Sequence, residues 1–216
     1  MNARFVQPEI LDRLPDDAPA AQRSRRDLRM INRLLGNERW FRRVLAPRLR
    51  RGERLLEVGA GDGMLGLGLM EAGLGTVAGL DLVRRPASWP ERAPWFQTSV
   101  FQFMSWTDYP VVIGNLIFHH FDADELAVLG AQLNRGARLI VVSEPLRSPH
   151  AARLFSLLCP LMRADPVTRH DGRVSIEAGF RGGELPALLR LDPKVWTWRV
   201  DETLRGACRL IAERRS

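Results

Sequence analysis

Leu55-Leu56-Glu57-Val58-Gly59-Ala60-Gly61-Asp62-Gly63 decides the fold. Its leading residues read as a short buried strand, and the alternate glycines after them read as the turn from that strand into a helix opening near Met64. In an open α/β sheet such a turn stands at the carboxyl end of a strand, where nucleotides bind. Glycine is needed there because a side chain would hold the ligand away from the backbone. A dinucleotide fingerprint requires glycine at the sixth position counted from Gly59; that position is Met64, so the dinucleotide reading fails on its third glycine.

Two acids narrow the choice. Asp81 closes the next strand, in Ala78-Gly79-Leu80-Asp81, where an acid accepts hydrogen bonds from both ribose hydroxyls. Glu57 stands two residues before the first glycine. A carboxylate at a buried strand end is costly to desolvate alone, and a ligand carrying a free ammonium supplies the compensating charge.

Working outward, short apolar runs at 54–58, 76–80, 95–99, 111–115 and 138–143 alternate with helical stretches at 64–72 and 123–133. Alternation of this kind predicts parallel strands with helices on both faces. A helical run at 184–191 is followed by two strand-like runs, 195–200 and 205–213, which predict a closing antiparallel hairpin. Upstream, Pro8, Pro15 and Pro19 predict an extended lead over 1–20. From about Ala21 the residues Leu28, Ile31, Leu34 and Leu35 recur at helical spacing. Gly36-Asn37 then stops that helix before a second through Trp40, Val44 and Leu45. The chain divides into an N-terminal extension and helical cap, 1–50, and a core, 51–216, with an insert at about 146–182.

At this point a resemblance is plain. Glu57 to Gly63 resembles the first motif of the class I S-adenosylmethionine-dependent methyltransferases, and Gly79-Leu80-Asp81 resembles their second. Val111 to Phe121 and Gly136 to Pro145 resemble their fourth- and fifth-strand segments. The resemblance covers about Arg54 to Arg214. It implies an α/β fold with a Rossmann-like, mostly parallel seven-stranded sheet, a C-terminal antiparallel hairpin, helices on both faces and an N-terminal helical cap. It implies S-adenosyl-L-methionine as cofactor, with Glu57, Gly59, Ala60, Gly61 and Gly63 around the methionine part, Asp81 on the ribose, Leu82 against adenine and Asn115 at the end of the fourth strand. The third strand departs from the family pattern. Where many relatives carry an acid that contacts the adenine amino group, this chain has Ser99 and Val100, so a backbone group or the Ser99 hydroxyl is expected to hold adenine.

The acceptor is less constrained. A hydroxyl nucleophile needs a base, and histidine is the usual one at neutral pH. His119 and His120 follow the fourth strand and are candidates for catalysis, or for packing and shielding of the cofactor. His170, in the insert beside Asp171, is a third candidate. Cys159-Pro160 reverses the order used by cytosine-5 methyltransferases and sits in an apolar run. Asn115 is followed by Leu116-Ile117-Phe118 rather than by the proline-containing segment that grips a flipped base. Trp40, Phe41, Phe155, Met162 and Phe180 in the cap regions favour a hydrophobic small molecule. The segments Asp27 to Arg33, Asn115 to Phe121 and Glu144-Pro145 resemble bacterial methyltransferases near the quinone-biosynthesis type, including ones of polyketide pathways. The expected reaction is therefore O-methylation of a phenolic or polyketide-like acceptor.

Composition sets the remaining bounds. With 216 residues, 45% hydrophobic, the chain buries one sizeable core. It has no run of about 18 apolar residues and no signal-peptide pattern at its start, so no membrane span and a cytoplasmic location are expected. Cys159 and Cys208 read as reduced, buried thiols, and no metal site is expected. Of the net charge of +7, the segment 21–54 carries more than the whole, with 12 arginines against Asp27, Glu38 and Glu53. Such an arm could meet nucleic acid or another anionic surface. Yet Lys194 is the one lysine among 32 basic residues, which points to genome composition and argues against a nucleic-acid partner. An RNA methyltransferase using this arm, and a non-catalytic cofactor-binding subunit, are the rival readings.

Overall fold

The structure, a computed structural model, describes residues 3–15 and 17–215. One sheet contains β1 (Leu55–Val58), β2 (Val77–Asp81), β3 (Trp95–Gln97), β4 (Val111–Asn115), β5 (Leu139–Pro145), β6 (Trp196–Glu202) and β7 (Ala207–Arg214). Their order is β3-β2-β1-β4-β5-β7-β6. The pairs among β1 to β5 are parallel, whereas β7 runs antiparallel to both β5 and β6. This is the expected α/β fold with its closing hairpin. The chain winds from β1 outward to β3 and then returns to β4, so a crevice opens at the carboxyl ends of β1 and β4.

The central strands are apolar without interruption because each face has its own cover. Leu56, Val112 and Ile140 join Leu126, Leu129 and Leu133 of α4 (Ala123–Gly136) in one core. Leu55, Val111, Ile113 and Leu139, pointing the other way by strand alternation, join Phe41 and Leu45 of α2 (Asn37–Leu45) and Leu69 of α3 (Met64–Glu71). Helix α4 begins with a reciprocal cap: the Asp122 carboxylate accepts from Glu125 N, and the Glu125 carboxylate accepts from Asp122 N.

Two boundaries differ from expectation. β3 ends at Gln97 rather than Ser99, because the Ser99 carbonyl accepts from Gln102 N and Phe103 N and turns the chain away from the sheet. The lead is not wholly extended: Leu11–Arg13 forms a 3-10 turn, and α1 (Pro19–Leu35) starts on a proline, which tolerates the first helical position. Helix α1 ends at Gly36, whose φ of 68° reverses the chain into α2.

The insert folds as α5 (Pro149–Leu161) and α6 (Pro166–Ala178), and α7 (Glu184–Leu188) follows it. The contact between α1 and α6 is polar. Buried Asp27 accepts from Asp165 N at 2.8 Å and from Thr168 Oγ1 at 3.0 Å. Many arginines of the basic segment have acidic partners: Arg23 pairs with Asp165, Arg26 with Asp27, Arg29 with Asp62, Arg42 with Glu38, Arg48 with Glu213 and Arg54 with Asp108. Among the described residues, no helix is long and apolar enough to cross a membrane.

Candidate functional site

The glycine loop leaves β1 and enters α3 with Gly59 at φ 66° and Gly61 at φ 57°, a region that side chains rarely adopt. A Cβ on Gly59 would stand 2.4 Å from Ile117 Cγ1, whereas one on Gly61 would meet nothing within 4 Å. The Gly61 face is thus open to a ligand. Ala60 is buried, with its N–H 3.3 Å from Leu80 O, and Gly63 caps α3.

Glu57 is buried beneath this loop, where its Oε2 accepts from Gly66 N at 2.9 Å. Burial pushes its carboxyl up to about 8, and the nearby Asp62 and Asp81 charges add to the shift. Asp81 has Gly61 N on Oδ2 at 2.7 Å and Val83 N on Oδ1 at 3.0 Å. Each carboxylate oxygen keeps a further acceptor direction. Leu82, 72% exposed, follows it. Beyond β3, Val100 is buried, and the Ser99 hydroxyl accepts from Phe101 N at 3.3 Å while keeping its own proton to donate. The chain therefore brings the cofactor candidates together at the carboxyl ends of β1 to β4.

Asn115 is tied more closely than sequence reasoning foresaw. Its Nδ2 donates to Asn32 Oδ1 at 2.9 Å, and its Oδ1 accepts from Asn37 Nδ2 at 2.8 Å. Asn37 Nδ2 also donates to Asn32 Oδ1, closing a ring of three amides. The Ser143 hydroxyl donates to Asn37 Oδ1 and extends the ring to β5. The helical cap is thereby fastened to the strand ends beside the crevice.

The three histidines separate sharply. The His119 side chain is 4% exposed, with Nδ1 2.7 Å from Glu144 Oε2 and Nε2 3.4 Å from Glu9 Oε1. Burial alone would lower its pKa, but the two carboxylates raise it to about 9. His120, 24% exposed, lies against the His119 ring at 4.3 Å between centroids, with Nδ1 3.6 Å from Asp12 Oδ2. Burial and the charge on His119 lower its pKa, so its ring is neutral at neutral pH. His170 is 52% exposed and faces Asp171, whose two oxygens accept the lead's backbone N–H groups at Ile10 and Leu11. That arrangement fastens the lead, and the ring of His170 is occupied with Asp171.

Sequence reasoning missed the lead's part in this site. Arg4 donates to the carbonyls of His119 at 2.9 Å, Phe121 at 2.5 Å and Ala178 at 2.7 Å, with its guanidinium over the Phe180 ring. In the sequence Glu144 is one residue of the Gly136 to Pro145 segment. Its two oxygens accept from the backbone N–H groups of Ile117, Phe118 and His119 as well as facing the His119 ring. A carboxylate inside the buried run Leu139–Pro145 was the available signal, because it must have a partner.

No protein-family model matches the sequence, and no curated protein does. Among solved structures, the chain is similar to the plantazolicin methyltransferase BpumL in complex with SAH. The two are 13% identical with a TM-score of 0.73, over 95% of this chain and 93% of the other. It is also similar to the plantazolicin methyltransferase BamL in complex with a triazolic desmethylPZN analogue and SAH, at 10% identity and a TM-score of 0.70, over 95% and 93% of the two chains. A third similar structure is described as the conversion of a disulfide bond into a thioacetal group during echinomycin biosynthesis. It is 20% identical with a TM-score of 0.58, over 83% and 80%. The fold is that of these structures, two of which are methyltransferases in complex with SAH.

Proposed function

We propose that this chain is an S-adenosylmethionine-dependent methyltransferase acting on a hydrophobic small molecule, with a phenolic or polyketide-like acceptor methylated on oxygen. One observation carries the donor assignment: an open glycine loop lies between a buried carboxyl, Glu57, that lacks a cation and an acid, Asp81, placed for ribose hydroxyls. S-adenosylmethionine would supply a methyl group on a sulfonium sulfur. Gly59, Ala60, Gly61 and Gly63 shape the bed for its methionine part, Glu57 faces the ammonium, and Leu82, Ser99 and Val100 border adenine. Asn115, held by Asn32 and Asn37, fixes the floor of the crevice.

The chain's own contribution to transfer is alignment. Holding nucleophile, methyl carbon and sulfur in line can remove roughly 7–11 kcal/mol of barrier. The lead and α6 wall the acceptor side, and the acceptor's proton passes to the cluster around His120, whose ring is neutral. His119, already charged between Glu9 and Glu144, positions that ring. The triazolic analogue bound by BamL supports a small organic acceptor, and the paired arginines support a structural use of the basic segment over an RNA-binding one. The buried, free Cys159 and Cys208 support a reducing compartment, the cytoplasm.

Titration calorimetry with S-adenosylmethionine tests the donor; no binding at millimolar donor would remove the reading. The same titration carries a signature of Glu57. Its folded-state carboxyl is raised, so the stability it contributes is lost as pH climbs from the ordinary carboxyl range through about 8. A bound ammonium favours the ionised form. Donor binding at pH 7 should therefore release a proton, and affinity should rise with pH towards 8. The apparent enthalpy should differ between phosphate and Tris buffers, and Glu57→Gln should abolish the difference. Equal enthalpies in the parent chain would remove Glu57 from the donor site.

His120→Ala should lower kcat about a hundredfold, the lower end of what a positioned proton acceptor contributes, while donor affinity stays within about twofold. A fall in donor affinity with kcat preserved would place His120 in cofactor shielding instead.

A further inference from the structure

We propose that Glu9, His119 and His120 form a binding site for a divalent transition-metal ion of the zinc type, with one coordination position left open beside His120. The ligand atoms, one from each side chain, lie within 4.8 Å of one another. Glu9 Oε1 is 3.4 Å from His119 Nε2 and 4.0 Å from His120 Nε2. Zinc bonds of 2.0–2.2 Å in a tetrahedron set neighbouring ligand atoms roughly 3.3 Å apart. The Glu9–His119 separation is already at that value, whereas His120 Nε2 stands 4.0 Å from Glu9 and its ligand nitrogen within 4.8 Å of that of His119, so its ring must close by up to about 1.5 Å. Two histidines and a carboxylate with an open fourth position is a ligand set zinc takes.

A second observation points the same way. His119 Nε2 is a buried nitrogen with no hydrogen-bond partner. It is aimed at Glu9, yet stands too far for the short charge-assisted bond that a simple buried ion pair would make, about 2.7–2.9 Å. On the other side of the ring, Nδ1 is fixed by Glu144 at 2.7 Å. A carboxylate on the far nitrogen is how ligating histidines are usually oriented. With both rings neutral, a divalent cation would offset Glu9 and Glu144, in surroundings that also hold Asp12, 3.6 Å from His120, and the Arg4 guanidinium.

Glu9 is brought to the cluster by the lead. Its carboxylate accepts from the Ser175 hydroxyl, its neighbour Ile10 is fastened by Asp171, and Arg4 farther up the lead is held by the Ala178 carbonyl. An ion would thus clasp the lead to the 3-10 turn Phe118–His120 that follows β4. Ion binding stands on these residues alone. The use of its open position to bind an acceptor oxygen rests on the reading above: the ion would lower the pKa of that oxygen so that its proton passes to solvent water, since His120 as a ligand is no longer free to take it.

The test is a titration of the full chain, first stripped by chelator, with Zn2+, followed by Co2+ to read coordination from its visible spectrum. One equivalent of Zn2+ should bind saturably, and Co2+ should give a low-coordinate spectrum that Zn2+ bleaches. His120→Ala and Glu9→Gln should each weaken binding by more than the roughly 10–100-fold that loss of a ligand's hydrogen-bond partner costs, because each removes a direct ligand. His150→Ala, an exposed histidine bonded to Leu204 O, should bind as the parent does. Glu9→Gln is near-isosteric and serves if His120→Ala disturbs the lead; circular dichroism of the ion-free variants checks folding. No saturable Zn2+ binding below millimolar concentration, or unweakened binding in both variants, would overturn the site. Donor calorimetry on the ion-free chain keeps the two ideas separate, because it tests the methyltransferase reading whatever the ion does.

Discussion

Replacing Asp81 by alanine is expected to weaken S-adenosylmethionine binding about a thousandfold. Two hydrogen bonds from ribose hydroxyls to a charged carboxylate are worth roughly 1.5–3 kcal/mol each, and both would be lost. The carboxylate also holds Gly61 N and Val83 N, so the variant loosens the glycine loop against β2 and adds to the loss. Those backbone groups are not deeply buried and can turn to water, so the fold should survive with only a small drop in Tm. Asp81→Asn keeps one acceptor oxygen and should fall between parent and alanine. Calorimetry across the three proteins checks the series, and an unchanged affinity in Asp81→Ala would withdraw the ribose assignment.

Glu144→Ala should instead damage the fold. Glu144 is fully buried, and its oxygens serve Ile117 N at 3.0 Å, Phe118 N at 2.9 Å, His119 N at 3.2 Å and the His119 ring at 2.7 Å. Without it, the Nδ1–H of the charged imidazole and the backbone donors lose their acceptor, and Glu9 is the one carboxylate left facing the ring. Breaking a buried pair on one side costs about 3–5 kcal/mol, and each orphaned buried donor adds about 1–3. Against a total stability of about 5–15 kcal/mol, this is a large fraction. The variant should either fail to accumulate as folded protein or unfold roughly 15 °C lower, at about 2–4 °C per kcal/mol for a chain of this size. A thermal melt decides, and a Tm within about 3 °C of the parent would show that Glu144 does not carry the turn after β4. Glu144→Gln, which retains an acceptor, should lose less.

The contrast between these residues also explains what could be read in the sequence. Glu57, the glycines and Asp81 lie within 25 residues, and each is constrained locally: a backbone that only glycine tolerates, or a carboxylate at the end of a buried strand. The sheet was legible because β1 to β5 keep their apolar runs whole, and the hairpin because two runs stood so close together. Glu9 meets His119 across 110 residues, and Asn115 meets Asn37 across 78. Neither Glu9 nor Asn37 stands in a periodic pattern that would mark it, so their pairing depends on how the cap docks.

Arg4 makes a label joined ahead of it and a label joined after β7 unequal. Its guanidinium is plugged into the carbonyls around the turn that follows β4, so an affinity tag or fluorescent protein fused ahead of it would hang beside that turn and beside His119 and His120. At the other end, β7 runs antiparallel to β5 and brings Glu213 opposite Leu139, at the amino-terminal edge of the sheet. A fusion after Arg215 would leave the molecule on the far side, with the whole sheet between it and the crevice.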